Sequence, residues 1–262
     1  MAAKKSYPAI TSDILSTFEK LSEAPGLYKV DSKTVLKTGR ATRMAEAAAL
    51  RFVREKTSVP VPEVYDAYMR QDKPDCGAIF MEYIEGETLH DVWGNLEDAQ
   101  KDSIITQLKE YMNQLRAIKG DFIGSVDGTY CEDQIFSDNR GAHGPFKDEE
   151  EFRQGCINAM YESRRNFWSE TVAGFVKALP PADIVLTHND LCPRNIIVRE
   201  GQIVAIIDWE LAGFYPEYWE YVKAWYRAGV DDPWVADRAV DKVLKPYPLA
   251  RAVFEHTRDI VW

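Results

Sequence analysis

The stretch LTHNDLCPRNIIVREGQIVAIIDWE, Leu186 to Glu210, constrains this chain more than any other. Ile184, Val185 and Leu186 lead into a polar loop, and Ile196, Ile197 and Val198 lead out of it. Glu200-Gly201 then turns the chain, and Ile203 through Ile207 run back. Short β-branched runs bounded by turn residues read as strands. The pattern predicts a strand, a polar loop, and a hairpin whose second strand ends on a carboxylate. Asp190, Asn195 and Asp208 thus stand at the ends of buried strands, which are rigid mounts for chemistry.

Upstream, Leu27-Tyr28-Lys29-Val30 and Thr34-Val35-Leu36-Lys37 read as two strands around an Asp31-Ser32 turn. A helix is predicted from Arg43 to Lys56, with Glu46, Leu50 and Val53 on its core-facing stripe. Val59-Pro60-Val61-Pro62 ends it. Strands follow at Val64 to Tyr68 and Ala78 to Tyr83. Ser12-Asp13 is the expected cap of a short first helix through Ile14, Leu15 and Phe18. Beyond Glu85-Gly86-Glu87 the pattern turns helical. An apolar stripe from Ile104 to Leu115 marks a long helix. Further helices are predicted at Asp148 to Arg165, Trp168 to Leu179, Pro216 to Ala228, Pro233 to Val243 and Pro248 to Val261. Gly120 to Pro145 shows little periodicity, as lids and binding loops do.

Composition bounds the function classes. The 262 residues suffice for one large domain or two small lobes. Met1 to Ile10 carries two lysines and no apolar segment, and no run approaches the roughly 18 apolar residues of a membrane span. We therefore expect a cytoplasmic protein with no membrane segment. The cysteines Cys76, Cys131, Cys156 and Cys192 form no C-x-x-C pair, which argues for reduced thiols and against structural zinc. His188 and Cys192, four apart, have no further soft ligand near them in sequence. A net charge of -10 argues against non-specific nucleic-acid binding and is compatible with a cationic small-molecule partner.

His188-Asn189-Asp190-Leu191-Cys192-Pro193-Arg194-Asn195, followed by Asp208-Trp209-Glu210, resembles the protein-kinase catalytic loop H-R-D-L-x-x-x-N and its downstream D-F-G aspartate. More closely, it resembles the aminoglycoside phosphotransferase and choline kinase branch of that superfamily. In that branch the first motif need not contain arginine and the second is not D-F-G. GFYPEYWEYVKA, Gly213 to Ala224, resembles fungal members in particular. The resemblance extends from Val30 to Trp225.

It implies an α+β, two-lobed protein-kinase-like fold. Residues 1–84 would form a nucleotide-binding lobe, a small antiparallel sheet plus one helix. Residues 85–262 would form a larger, mainly helical lobe for catalysis and acceptor binding. The implied reaction is Mg2+-dependent transfer of the ATP γ-phosphoryl group to a small-molecule hydroxyl. Asp190 would orient the hydroxyl and accept its proton, and Asn195 and Asp208 would hold the metal through hard oxygen donors. Lys37 would touch the α- and β-phosphates and pair with Glu46, since a carboxylate on a buried stripe needs a cation. Backbone groups of Glu82 and Ile84 would bond adenine beside Met81. His188 would be a buried, hydrogen-bonded residue that shapes the loop.

Blander readings stand beside these. Asp190 as a turn residue, Met81 as core filling and Glu46 as a helix-start acid are each ordinary. Lys33 is the fallback lysine, and Glu210 is either a further ligand or a solvated helix-start residue. The chain contains no G-x-G, and Gly26 is the only glycine before Lys37, so truncated first strands and a less enclosed nucleotide are expected. The alternative is a kinase-like fold that has lost phosphoryl transfer. For the acceptor pocket, Asp121, Asp127, Glu217, Glu220, Asp231 and Asp232 are candidate acids. Trp168, Trp209, Tyr215, Trp219 and Trp225 are candidate stacking surfaces, most of them expected in the core.

Overall fold

The alternation of Val35, Leu36 and Lys37 sets the two faces of the N-terminal sheet. The structure, a computed structural model, describes residues 7, 9–21, 26–136, 143–226 and 232–261. A short helix α1 (Ser12–Leu15) precedes strands β1 (Glu19–Lys20), β2 (Leu27–Asp31) and β3 (Thr34–Gly39). Helix α2 (Met44–Lys56) follows, then β4 (Val64–Met69) and β5 (Gly77–Glu82). The five strands form one antiparallel sheet in the order β1-β2-β3-β5-β4. Its first strand is only two residues long. Leu36, Ala78 and Phe80 pack on the outer face with Ile10. Val35 and Met81 pack on the inner face against Ala49, Leu50 and Val53 of α2. The cap of α1 is Thr11, one residue before the expected Ser12, because the Thr11 hydroxyl accepts from the Ile14 N–H.

The chain then crosses through β6 (Glu87–Thr88) into α3 (Leu89–Val92) and α4 (Asp98–Ala117), the latter opened by a reciprocal Glu97–Gln100 capping box. Next come β7 (Gly124–Ser125), α5 (Glu149–Ser163) and α6 (Phe167–Lys177). Strands β8 (Ile184–Thr187), β9 (Ile196–Arg199), β10 (Gln202–Ile206) and β11 (Gly213–Pro216) frame the polar loop. Helices α7 (Trp219–Ala224), α8 (Pro233–Ala236), α9 (Ala239–Val243) and α10 (Pro248–Val261) complete the helical part. Two three-stranded sheets hold the loop, ordered β10-β9-β6 and β7-β11-β8. No helix among the described residues is long and apolar enough to cross a membrane.

Two expectations are corrected. The helix predicted from Pro216 starts as strand: Gly213–Pro216 pairs with β8 on one side and β7 on the other. Gly213 allows this close approach, since a Cβ there would lie 2.2 Å from the Gly124 carbonyl oxygen. The far end of that prediction lies outside the described residues. The helix predicted over Pro233 to Val243 is two pieces, interrupted at Arg238, whose φ is +53°. The described residues of Gly120 to Pro145 carry β7, a 3-10 turn at Gln134–Phe136 and the bridges Ile123–Phe146 and Cys131–His143. Residues 137–142 lie outside the described residues.

The apolar core does not stop at the sheet. One cluster runs from Val35, Leu50 and Met81 through Leu108 and Met112 of α4 to Ile206 and Trp209. A second, around Phe152, Tyr215, Trp219 and Phe254, fills the space between α5, α7 and α10.

Candidate active site

Strand β8 delivers His188, Asn189 and Asp190 into the loop, and buried groups fix the backbone there. The carboxylate of Glu220, on α7 and fully buried, accepts the His188 N–H at 2.7 Å and the Asn189 N–H at 3.0 Å. Asn189 takes a left-handed φ of 71°, a strained position for a residue with a side chain. Its side-chain amide donates to the Leu211 carbonyl. The His188 Nδ1 accepts the Asp190 N–H, so the proton sits on Nε2, which donates to the Ile207 carbonyl at 3.0 Å. The ring meets Trp209 edge-on. His188 is therefore a buried scaffold residue.

Asn195 follows in a 3-10 turn, Pro193–Asn195. Its Nδ2 donates to the backbone carbonyl of Asp190 at 2.8 Å and to Asp190 Oδ2 at 3.0 Å. That spends the amide nitrogen and leaves the amide oxygen as the atom to meet a cation. The Ile207 N–H bonds the Asn195 carbonyl, so Asp208 emerges next to Asn195 across the β9–β10 pair. Asp208 itself is left-handed, φ 64° and ψ 61°. Cys192, beside Asp190, is buried, and burial followed by the Asp190 charge pushes its thiol up. A neutral thiol is a poor metal ligand.

Lys37 arrives from β3. Its Nζ lies 2.9 Å from Glu46 Oε2, 2.8 Å from Asp208 Oδ1 and 2.9 Å from Glu210 Oε2. Residues 171 positions apart in sequence, Lys37 and Asp208, thus share one hydrogen bond. One ammonium faces three carboxylates, so the cluster has surplus negative charge. Lys37, Asp208 and Glu210 are 19%, 35% and 34% exposed, whereas Glu46 is 1% exposed. Burial would lower the Lys37 pKa, but the charges of Glu46, Asp208 and Glu210 outweigh it and hold it above the ordinary lysine value. Burial pushes the Glu46 carboxyl up to about 7, against the pull of Lys37. Lys33, the fallback, is exposed on the β2–β3 turn.

The donor set fits a hard divalent cation. Asn195, Asp208 and Glu210 offer only oxygens, and the surplus charge at Lys37 favours a further positive ion. Among the described residues no cluster of three His, Cys, Asp or Glu side chains is arranged to hold a metal alone. Mg2+, which is bound by few protein groups together with water and phosphate, does not require one.

On the hinge side, Met81 is buried opposite Val35 and belongs to the core, while Glu82 and Ile84 are half-buried. The Glu82 N–H is donated to the Glu63 carbonyl at 2.9 Å.

Most candidate acceptor acids are committed elsewhere. Glu220 holds the loop. Asp127 accepts from the Thr129 N–H and hydroxyl, and Asp232 caps α8. Glu217 binds Lys245 and Tyr247, Asp121 is exposed, and Asp231 lies outside the described residues. Trp209, Tyr215 and Trp219 are fully buried core. Trp168 is partly exposed against His256, and Trp225 lies under Arg251.

Two roles escaped the sequence reading: Glu220 as the holder of the loop, and the buried Lys223–Asp133 pair at 3.2 Å. The signal was present. WEYVKA places Glu220 and Lys223 in an otherwise apolar helix, and buried charges require partners.

Residues 28–248 match the sequence model of the phosphotransferase enzyme family. No curated protein matches the chain. Among solved structures, a ternary complex of a thermostable mutant of aminoglycoside phosphotransferase APH(4)-Ia with AMP-PNP and hygromycin B is 16% identical. It superposes with a TM-score of 0.62 over 94% of this chain and 84% of that one. The streptomycin–ATP–APH(2")-IIa ternary complex gives 17% identity and a TM-score of 0.61, over 97% and 87%. ADP-bound aminoglycoside phosphotransferase APH(2'')-Ib gives 16% and 0.59, over 96% and 86%. At these identities the likeness is one of fold.

Proposed function

The chain belongs to the phosphotransferase enzyme family, and from that premise we propose that it transfers the γ-phosphoryl group of ATP to a hydroxyl of a small molecule such as an amino alcohol, an aminoglycoside-like compound or a secondary metabolite. In this reading residues up to 84 bind the nucleotide and residues from 85 supply the acceptor site. The observation that carries it is the meeting of Lys37, Glu46 and Asp208 from three distant elements, with Asn195 bonded through its carbonyl to the residue before Asp208 and through its amide to Asp190.

Phosphoryl transfer asks for positioning and charge neutralisation more than for covalent help. Asp190, fixed by Asn195 and the Glu220-bound loop, orients the acceptor hydroxyl and takes its proton as the bond to phosphorus forms. Lys37 moves its hydrogen bonds from Asp208 and Glu210 to phosphate oxygens, while buried Glu46 keeps the ammonium in place. Asn195 and Asp208 would hold Mg2+, which neutralises phosphate charge when bound. In this reading backbone groups of Glu82 and Ile84 receive the adenine beside Met81, which packs in the core opposite Val35.

The test is thermal unfolding with ADP and Mg2+, each alone and together. At a ligand concentration of 100 Kd, binding to the folded state raises stability by about 2.7 kcal/mol. ADP release from MgATP is then measured with amino alcohols and aminoglycosides. A folded sample that binds no nucleotide refutes the reading.

A further inference from the structure

Arg43 is the residue just before α2, and its carbonyl accepts the Glu46 N–H at 3.2 Å. Its side chain leaves the helix for the segment between β7 and the Gln134–Phe136 turn. Nη1 donates to Glu132 Oε2 at 2.7 Å and reaches Ser125 Oγ at 3.5 Å. Nη2 donates to Thr129 Oγ1 at 3.0 Å and to the Tyr130 carbonyl at 3.5 Å, and the guanidinium lies 4.0 Å over the Tyr130 ring. The receiving turn is built in advance. Asp127 binds Thr129, and the Ser125 hydroxyl donates to the Tyr130 carbonyl at 2.9 Å. The arginine side chain is only 14% exposed.

The next residue, Asp133, is pinned from the other side. Its Oδ1 accepts from Lys223 and from the Ile135 N–H, and its Oδ2 accepts the Trp219 indole N–H. Trp219 and Lys223 flank Glu220, which holds the loop bearing Asp190. A chain of contacts therefore runs from Glu46 through Arg43 to Glu132, along the backbone to Asp133 and on to α7, whose Glu220 holds the amides of His188 and Asn189 just before Asp190. We propose that Arg43 is a positioning residue that latches the start of α2, and with it Glu46, to the frame that holds the catalytic loop. The proposal rests on the phosphotransferase reading. A planar, five-donor fork suits this task in a way an ammonium does not.

Arg43→Gln and Glu132→Gln are each expected to weaken MgADP binding about tenfold, a typical coupling between sites, with little change in melting temperature. The double variant should be no worse than either single one. Arg43→Lys should recover only part of the loss, and Arg43→Glu with Glu132→Arg should recover more than either swap alone. Amide hydrogen exchange of the nucleotide-free protein is read in parallel. Both single variants should raise exchange in α2 and in residues 125–132 together. Exchange needs no nucleotide, so a wild type that fails to bind MgADP refutes the functional reading and leaves this result decisive. Single variants with wild-type exchange in both segments, or losses that add in the double variant, overturn the latch.

Discussion

Lys223 and Lys37 are both paired with carboxylates, but in opposite surroundings. Lys223 and Asp133 are 2% and 0% exposed, one charge against one. The remaining acceptors of Asp133 are filled by Trp219 and a backbone N–H. Lys37 is partly open and faces three carboxylates, two of which are about a third exposed. The Lys223–Asp133 pair is balanced and closed to solvent, whereas the cluster at Lys37 carries surplus negative charge and a route to solvent, which favours a further cation there. Ion pairs of similar length thus differ in charge balance and exposure, and those surroundings set what each can still bind.

Four substitutions break or sharpen that contrast. Asp133→Asn strands the buried Lys223 charge and should cost about 3–5 kcal/mol in denaturant unfolding, the range for breaking a buried pair. A loss below about 1 kcal/mol would put Lys223 in the same class as a surface lysine.

Glu46 tests the other cluster through pH. Its folded pKa of about 7 lies above the ordinary glutamate value of 4.5. The folded state therefore holds the proton more tightly, and the associated stability is present below pH 4.5 and lost as pH rises to about 7. Relative to Glu46→Gln, the wild type should lose up to about 3 kcal/mol across that window, at 1.36 kcal/mol per unit. Unfolding curves of both proteins from pH 4 to 8 check the sign. The same variant should bind MgADP less well, a trade of function against stability.

Glu220→Gln keeps the shape but weakens two charge-assisted bonds to the loop amides, and should cost about 2 kcal/mol. Turnover should fall further than nucleotide affinity, because Asp190 rather than Lys37 is displaced. The smallest effect on stability belongs to Asp208→Asn. Removing one surplus carboxylate should change the nucleotide-free protein by at most about 1 kcal/mol, in either direction, while abolishing the Mg2+-dependent part of ADP stabilisation. Retention of that part would remove Asp208 from the metal site.

Much of the fold was legible because its signals are local. The hairpin from Ile196 to Ile206, the β2–β3 pair and the buried stripe of α2 follow from alternation, turn residues and helical spacing. The strand Gly213–Pro216 was not legible, and the helix after it was placed three residues early, because a strand of four residues before a helix has no period of its own and only its two neighbours make it a strand. Glu220, expected among the acids of the acceptor pocket, holds the loop instead, and the reason it could not be placed from sequence is of the same kind. Its role lies in amides some thirty residues earlier, which no local pattern displays.

The sequence by itself determined which groups are available and how each is mounted: Asp190 and Asn195 on one loop, Asp208 at a strand end, Lys37 on an alternating strand, Glu46 on a buried face. Those are short-range matters of backbone preference and side-chain period. Only the tertiary structure decided which charges meet. It brought Glu210 to Lys37, took Glu220 out of solvent, and joined Arg43 to Glu132 across the molecule. The strength and purpose of a charge depend on distance, burial and the count of its partners, and those quantities exist only once the chain has closed around it.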